Sequence, residues 1–312
     1  MNAVQQFVIE PLRKRSSALF LLQLAQLVND RTGGRYDPAI QRAFAKLKPR
    51  VPLPNSRIMD DSDITGCVSS LRARGWNILR QRLAEADVAE LRRFAFSTPA
   101  YAKSPAERIV IAENNIPQSH CRYMWRISDL IRVPAVQRLI TDAGFARIAQ
   151  DYIGCEPLLT SVTLWLDPVF DGVNAAHVYH YDNDGPTFLK FFFYLTDMHA
   201  ESGAHSFIQG SHPHCKPPQF GRAGPQPREK LIEYYGAENE LVFSGPAGLI
   251  LAEDTAGFHK GTTLTEGYRL LLQLQYAAMD IPHDEEFALG IERVRLKDVD
   301  PALKRIARKF LA

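Results

Sequence analysis

The sequence predicts a mainly β fold, a β-sandwich or jelly roll with helices packed on one face, and three observations lead there. From Leu158 onward, short runs rich in branched and aromatic residues recur at 161–166, 188–195, 241–243, 249–252 and 268–276. Gly, Pro, Asn and Asp punctuate these runs, as they do between strands. The stretch before Leu158 reads instead as helices, and many short strands after a helical preface suit a layered all-β core with helices on one side.

The elements follow in order. Residues 1–58 read as a helical N-terminal extension. Its basic Arg13-Lys14-Arg15 precedes the apolar Ala18, Leu19, Phe20, Leu21, Leu22, Leu24, Ala25, Leu27 and Val28. A signal peptide starts this way, but no small-x-small pattern follows before Asn29-Asp30-Arg31. Gln23 and Gln26 interrupt the run, which is too short to span a bilayer, so we read a packed amphipathic helix. Asp37-Pro38, a cap residue and then proline in the first turn, opens a second helix through Leu47. Pro49, Pro52 and Pro54 break it and mark a boundary. Residues 59–290 form the main domain, with helices at 63–74, stopped by Gly75, and at 85–96, 134–140 and 146–152. A short strand falls at 76–79. Residues 291–312 hold a C-terminal helix capped at Asp300-Pro301 and running through Phe310.

Composition sets limits. Of 312 residues, 46% are hydrophobic and 23% charged, ordinary for a globular chain, and the formal charge of +2 argues for neither nucleic acid nor an anionic membrane. Cys67, Cys121, Cys155 and Cys215 form no C-x-x-C pair, which fits free thiols in a reducing cytoplasm better than a disulfide framework or a zinc site. The expected partner is a small-molecule substrate, with neither nucleic acid nor a membrane. Oligomeric state, including a homo-oligomer, is left open.

The chemistry centres on His180-Tyr181-Asp182. On extended backbone, residues two apart project to the same side, so imidazole and carboxylate converge. Alone, an H-x-D tripeptide is as readily a solvated loop. Downstream, Phe258-His259-Lys260-Gly261 follows a strand and a turn and supplies a second histidine. Two histidines and one carboxylate on one face of an octahedral ion leave positions open for co-substrate and oxygen, as in non-haem iron oxygenases. Structural zinc favours four closed ligands, commonly with Cys, and no Cys lies near either histidine. Arg269 heads a strand in which Arg269, Leu271, Gln273 and Gln275 share one face. A guanidinium entering a sheet interior needs an anion, either a dicarboxylate co-substrate or an internal Asp or Glu.

In these segments the chain resembles the phytanoyl-CoA dioxygenase family. The matching residues are His180-Tyr181-Asp182 and the stretch from Phe188 to Asp197. They continue from Glu201 to His212, with Gly203, Gly210 and Ser211, through Ser244-Gly245-Pro246-Ala247-Gly248, to Gly257-Phe258-His259-Lys260-Gly261 with Arg269. The likeness runs from about Gly66 to about Tyr276. It implies a double-stranded β-helix (jelly roll, cupin-like), Fe(II) on His180, Asp182 and His259, and 2-oxoglutarate held by Arg269. It also implies O2-dependent hydroxylation or a related oxidation of an unactivated C–H bond, with release of succinate and CO2. Gln209 stands where the family commonly has proline, which touches no ligand. Asp182 keeps the carboxylate that halogenase variants lack.

Other residues carry two readings each. Lys190, inside an aromatic strand, either reaches the 2-oxoglutarate carboxylate or snorkels outward. Gln273 and Gln275 either bond the co-substrate or fill a polar interior. Trp165 and Thr163 line a pocket or belong to the core. Arg122, Tyr123, Trp125 and Arg126 are candidates for the substrate mouth. His212 reads as a turn-stabilising group and His177 as structural. Two rival functions use the same scaffold: a zinc or manganese cupin-type hydrolase or isomerase without 2-oxoglutarate, and a jelly-roll binding protein without chemistry.

Overall fold

The computed structural model describes residues 24, 26–28, 31–34, 37–104, 106–172, 175–213, 216–220, 224–280 and 290–312. Helices α1 (Asp37–Leu47) and α2 (Asp61–Arg74) lead to strand β1 (Trp76–Ile78) and helix α3 (Glu85–Ser97). Strand β2 (Tyr123–Met124) precedes α4 (Ile127–Leu130), α5 (Pro134–Ile140) and α6 (Ala143–Ile153). Then come β3 (Leu158–Pro168), β4 (Phe188–Tyr194), β5 (His205–Ile208), α7 (Arg228–Tyr235) and β6 (Glu240–Phe243). The chain finishes with β7 (Ile250–Glu253), β8 (His259–Gly261), β9 (Tyr268–Ala277) and α8 (Pro301–Ile306).

Local chemistry fixes the helix ends. Asp60 and Asp63 form a reciprocal capping box at the start of α2, and Gly75 closes it with φ of 85°, a left-handed position that favours glycine. Asp142 caps α6 by accepting from the Gly144 N–H. The predicted C-terminal helix through Phe310 is corrected: α8 ends at Ile306. Beyond it the chain turns, and Val294 and Leu311 form a parallel bridge that buries Phe310 and Leu311. Burial of those two apolar side chains overrides further helical turns. In the extension, residues 24 and 26–28 are helical; the apolar run at 18–23 lies outside the described residues.

The strands form two antiparallel sheets, one in the order β1-β7-β4-β9-β3-β2, the other β6-β5-β8. β3 and β9 form the longest ladder and place Asp167 opposite Arg269. The alternation read in the sequence sorts β9 as expected. Leu270, Leu272 and Leu274 join Leu164, Phe191 and Phe193 on the outer face, packed on Phe145, Ile148 and Ala149 of α6. Phe145 meets Phe191 edge-on at 5.1 Å and Phe193 at 5.4 Å. The inner face carries Leu271, Trp165, Phe192, Tyr194 and Leu251, which meet Phe207 and Phe243 of the smaller sheet. One end of this interior is aromatic and dry. The other holds the polar side chains. That is the jelly roll with helices on one face.

Candidate active site

His180 and Asp182 lie on an extended segment that the strand ladder touches at one point. The His180 N–H donates to the His259 carbonyl and the His259 N–H to the His180 carbonyl, so the segment is stitched to β8. Two residues on, the Asp182 N–H donates to the Thr255 carbonyl. The expected convergence follows. His180, Asp182 and His259 each offer a ligand atom, all within 4.8 Å of one another. His180 Nε2 lies 3.8 Å from Asp182 Oδ1, and His259 Nε2 lies 3.6 Å from Asp182 Oδ2. Each imidazole anchors its other nitrogen on backbone: His180 Nδ1 at 2.9 Å from the Val178 carbonyl and His259 Nδ1 at 3.0 Å from that of Gly257. Nδ1–H therefore donates, and both Nε2 lone pairs face the shared point, the tautomer a metal needs.

The electrostatics suit a cation there. Burial pushes the His259 imidazole down to about 4, so it is neutral at physiological pH. Burial opposes ionisation of Asp182, yet the Lys190 ammonium paired with it holds its carboxyl well below the usual range. Lys190 is 7% exposed and does not snorkel outward. It reaches back from β4 to pair with Asp182 and, at 3.0 Å, with Asp184. Gln275 donates to the same Asp184 at 3.1 Å.

The cavity around the triad measures about 160 Å³ and is lined by Arg122, Trp165, Ala176, His180, Asp182, Lys190, Phe192, His205, His259, Gly261, Arg269 and Gln273. Gln273 enters it with no hydrogen-bond partner among the described residues. Arg269 is 1% exposed, and the sequence had left its anion open. The structure supplies an internal one: Nε donates to Asp167 Oδ2 at 3.1 Å, Nη2 donates to the same oxygen, and Nη1 donates to the Gly203 carbonyl at 2.6 Å. Asp167 also accepts from Arg122, Nε at 2.7 Å and Nη2 at 2.9 Å. Burial disfavours the Asp167 anion, but two guanidiniums keep its carboxyl well below the ordinary range. The pair of arginines still outweighs the one carboxylate by a full positive charge.

Of the cluster expected at the substrate mouth, Arg122 reaches the cavity, its guanidinium 4.8 Å from the centre of the Trp165 ring. Tyr123 and Trp125 do not: each is 1% exposed, and Trp125 Nε1 donates to the Thr98 carbonyl. Aromatic pattern alone does not separate a mouth from a core. His212, expected to stabilise its turn, reaches out of it to the end of α2, with Nε2 3.4 Å from the Arg72 carbonyl. His177 sits in a short 3-10 turn, not on a strand, and burial lowers it to about 4. Asp167, Asp184, His205 and Glu253 were missed as site residues. The one signal for His205 was a histidine in an otherwise apolar strand position of β5.

No protein-family model matches the chain, and no curated protein matches it. Among solved structures, EctD from S. alaskensis, in its apoform, aligns over 79% of this chain and 94% of its own at 19% identity, with a TM-score of 0.50. The epimerase SnoN, in complex with Fe3+, alpha ketoglutarate and nogalamycin RO, aligns over 71% of this chain and 85% of its own at 19% identity, TM-score 0.48. HygX from Streptomyces hygroscopicus, with nickel, 2-oxoglutarate and hygromycin B bound, aligns over 79% and 95% at 17% identity, TM-score 0.45. Among the described residues no helix is long and apolar enough to cross a membrane. The chain has the jelly-roll fold it shares with EctD.

Proposed function

We propose that this protein is an Fe(II)- and 2-oxoglutarate-dependent oxygenase of the phytanoyl-CoA dioxygenase type, acting on a small organic substrate. One observation carries the reading: two imidazole Nε2 atoms and one carboxylate converge within 4.8 Å, with both Nδ1 atoms held by backbone. The donor set fits ferrous iron: two borderline nitrogens and one hard oxygen would hold the ion and would leave room for a co-substrate. Iron with 2-oxoglutarate and O2 would supply decarboxylation to succinate and CO2 and oxidation of a C–H bond.

The chain's own residues do the rest. His180, Asp182 and His259 fix the place of the ion. Lys190 holds Asp182 ionised and oriented, so its role here is toward the ligand carboxylate. Arg269, with Arg122 beside it, leaves one unbalanced positive charge for the distal carboxylate of the co-substrate, because Asp167 cancels only one of the two. Gln273 offers a free amide in the same cavity. Trp165 and Phe192 keep that wall apolar and limit water. The free thiols of Cys67, Cys121 and Cys155 suit a reducing, cytoplasmic setting.

The test is anaerobic loading with Fe(II), then turnover of 2-oxoglutarate to succinate on admitting O2. We expect His180→Ala and Asp182→Ala to lose bound iron and fall to background turnover. Retained iron and undiminished turnover in both would reject the ligand assignment. A wild-type protein that binds zinc or manganese but not 2-oxoglutarate would favour a hydrolase or isomerase instead.

A further inference from the structure

His205 and Glu253 form a buried pair that the triad does not use. His205 opens β5 and Glu253 closes β7, so they meet across the interior from different sheets. His205 Nδ1 lies 3.0 Å from Glu253 Oε2, and the two are 5% and 0% exposed. Phe192 packs against the imidazole at 4.2 Å between ring centres. This leaves the ring no freedom to turn, and its Nε2 has no partner among the described residues while the ring lines the cavity. The second oxygen of Glu253, Oε1, is buried without a partner among the described residues.

That bare oxygen decides which way the pair is wired. A fully buried carboxylate with one hydrogen bond is far costlier than a neutral acid in the same place. As an acid, Glu253 donates its O–H to Nδ1. The proton of the neutral imidazole then sits on Nε2, which points a donor into the cavity.

Position decides what the donor meets. His205 is paired across the ladder with Gly261, and a side chain on Gly261 would run into the Arg269 guanidinium. Two residues before it, the Gly203 carbonyl accepts from Arg269 Nη1. On the other side, its ring is nearly parallel to that of His259, 6.2 Å away at 27°. His205 therefore stands on the wall running from the triad to Arg269, where a keto dicarboxylate joining the two would lie. Resting on the oxygenase reading above, we propose that His205, with its ring fixed by Glu253, donates a hydrogen bond from Nε2 to the bound 2-oxoglutarate and positions it between the triad and Arg269.

The experiment is an anaerobic titration of the Fe(II) protein with 2-oxoglutarate, followed by calorimetry and by the visible charge-transfer band of the complex. Iron content and melting temperature are measured alongside. His205→Leu should keep its iron and its fold, bind 2-oxoglutarate about tenfold or more weakly, as for loss of a hydrogen bond to a charged group, and shift the band. His205→Gln, whose amide reaches toward the Nε2 position, should recover part of that loss. Glu253→Ala should weaken binding in the same direction, and Glu253→Gln, able to donate to Nδ1, should restore it relative to Glu253→Ala. Wild-type affinity and an unshifted band in folded, iron-loaded His205→Leu would overturn this inference and leave the oxygenase reading intact. Failure of the wild-type protein to bind 2-oxoglutarate at all would overturn both.

Discussion

At the scale of single residues, the site is governed by Asp167. Among the described residues it is the carboxylate paired with both Arg122 and Arg269, and it is wholly buried. Asp167→Asn removes one partner of a buried ion pair and is expected to cost about 3–5 kcal/mol, read from urea unfolding at pH 7. The pH dependence has a definite sign. Because the folded pKa is depressed, the contribution of Asp167 is complete above the unfolded value of about 3.9 and is lost as pH falls through the folded one. The gap between the melting temperatures of wild type and Asp167→Asn should therefore narrow steadily as pH falls below about 3.9; a constant gap as the pH is lowered would show that the pair is not the cause. The sequence showed that Arg269 needs an anion but not which one. Asp167 is 102 positions away, and only the β3–β9 register brings the two opposite each other. His180, Asp182 and His259 were legible for the converse reason: two sit on one short segment, and the third ends a recognisable strand-turn pattern.

At the scale of elements, the ends of strands and helices set the geometry, and two glycines test it. A Cβ at Gly261 in β8 would stand 2.2 Å from Arg269 Nη1. Gly261→Ala should push the guanidinium aside and weaken 2-oxoglutarate binding roughly 10- to 100-fold, with iron content unchanged; unaltered affinity would mean that Arg269 is not held where the co-substrate needs it. Gly75 closes α2 at a φ of 85°, and a Cβ there would meet His212 Cβ at 2.5 Å. Gly75→Ala is expected to cost at least about 1–2 kcal/mol in a denaturant titration. Helix and strand positions were largely legible, since capping residues, glycine stops and alternation act locally. The short elements β2, α4, β5, α7 and β8 were not read, being too brief for a periodicity to show, and α8 was read too long, because its last turn loses to contacts with Val294.

At the scale of the molecule, the larger sheet separates two environments. Its outer face is bonded by shape to the helices, and its inner face divides between aromatic packing and the polar site. Phe193→Ala, beneath Phe145, should cost about 3–5 kcal/mol of stability while leaving the affinity for iron unchanged, because it lies on the face away from the triad. A proportional loss of iron affinity in the folded variant would show that the two faces are coupled. The sequence separated these faces within β9 by its alternation. It did not reveal the Lys190–Asp182–Asp184 network, since a lysine in an aromatic strand looks the same whether it turns to water or to a carboxylate.

The mutual amide bonds between His180 and His259 have one further consequence. Main-chain bonding braces the coordinating nitrogens from outside the ligand set, so capture of the ion should not have to organise the chain. Unlike a zinc finger, which collapses when stripped, the chelated protein should keep its circular dichroism and melt cooperatively. Returning Fe(II) at about a hundred times its dissociation constant should then add only about 2.7 kcal/mol. Wholesale unfolding by a chelator would mean that this brace does not stand unaided.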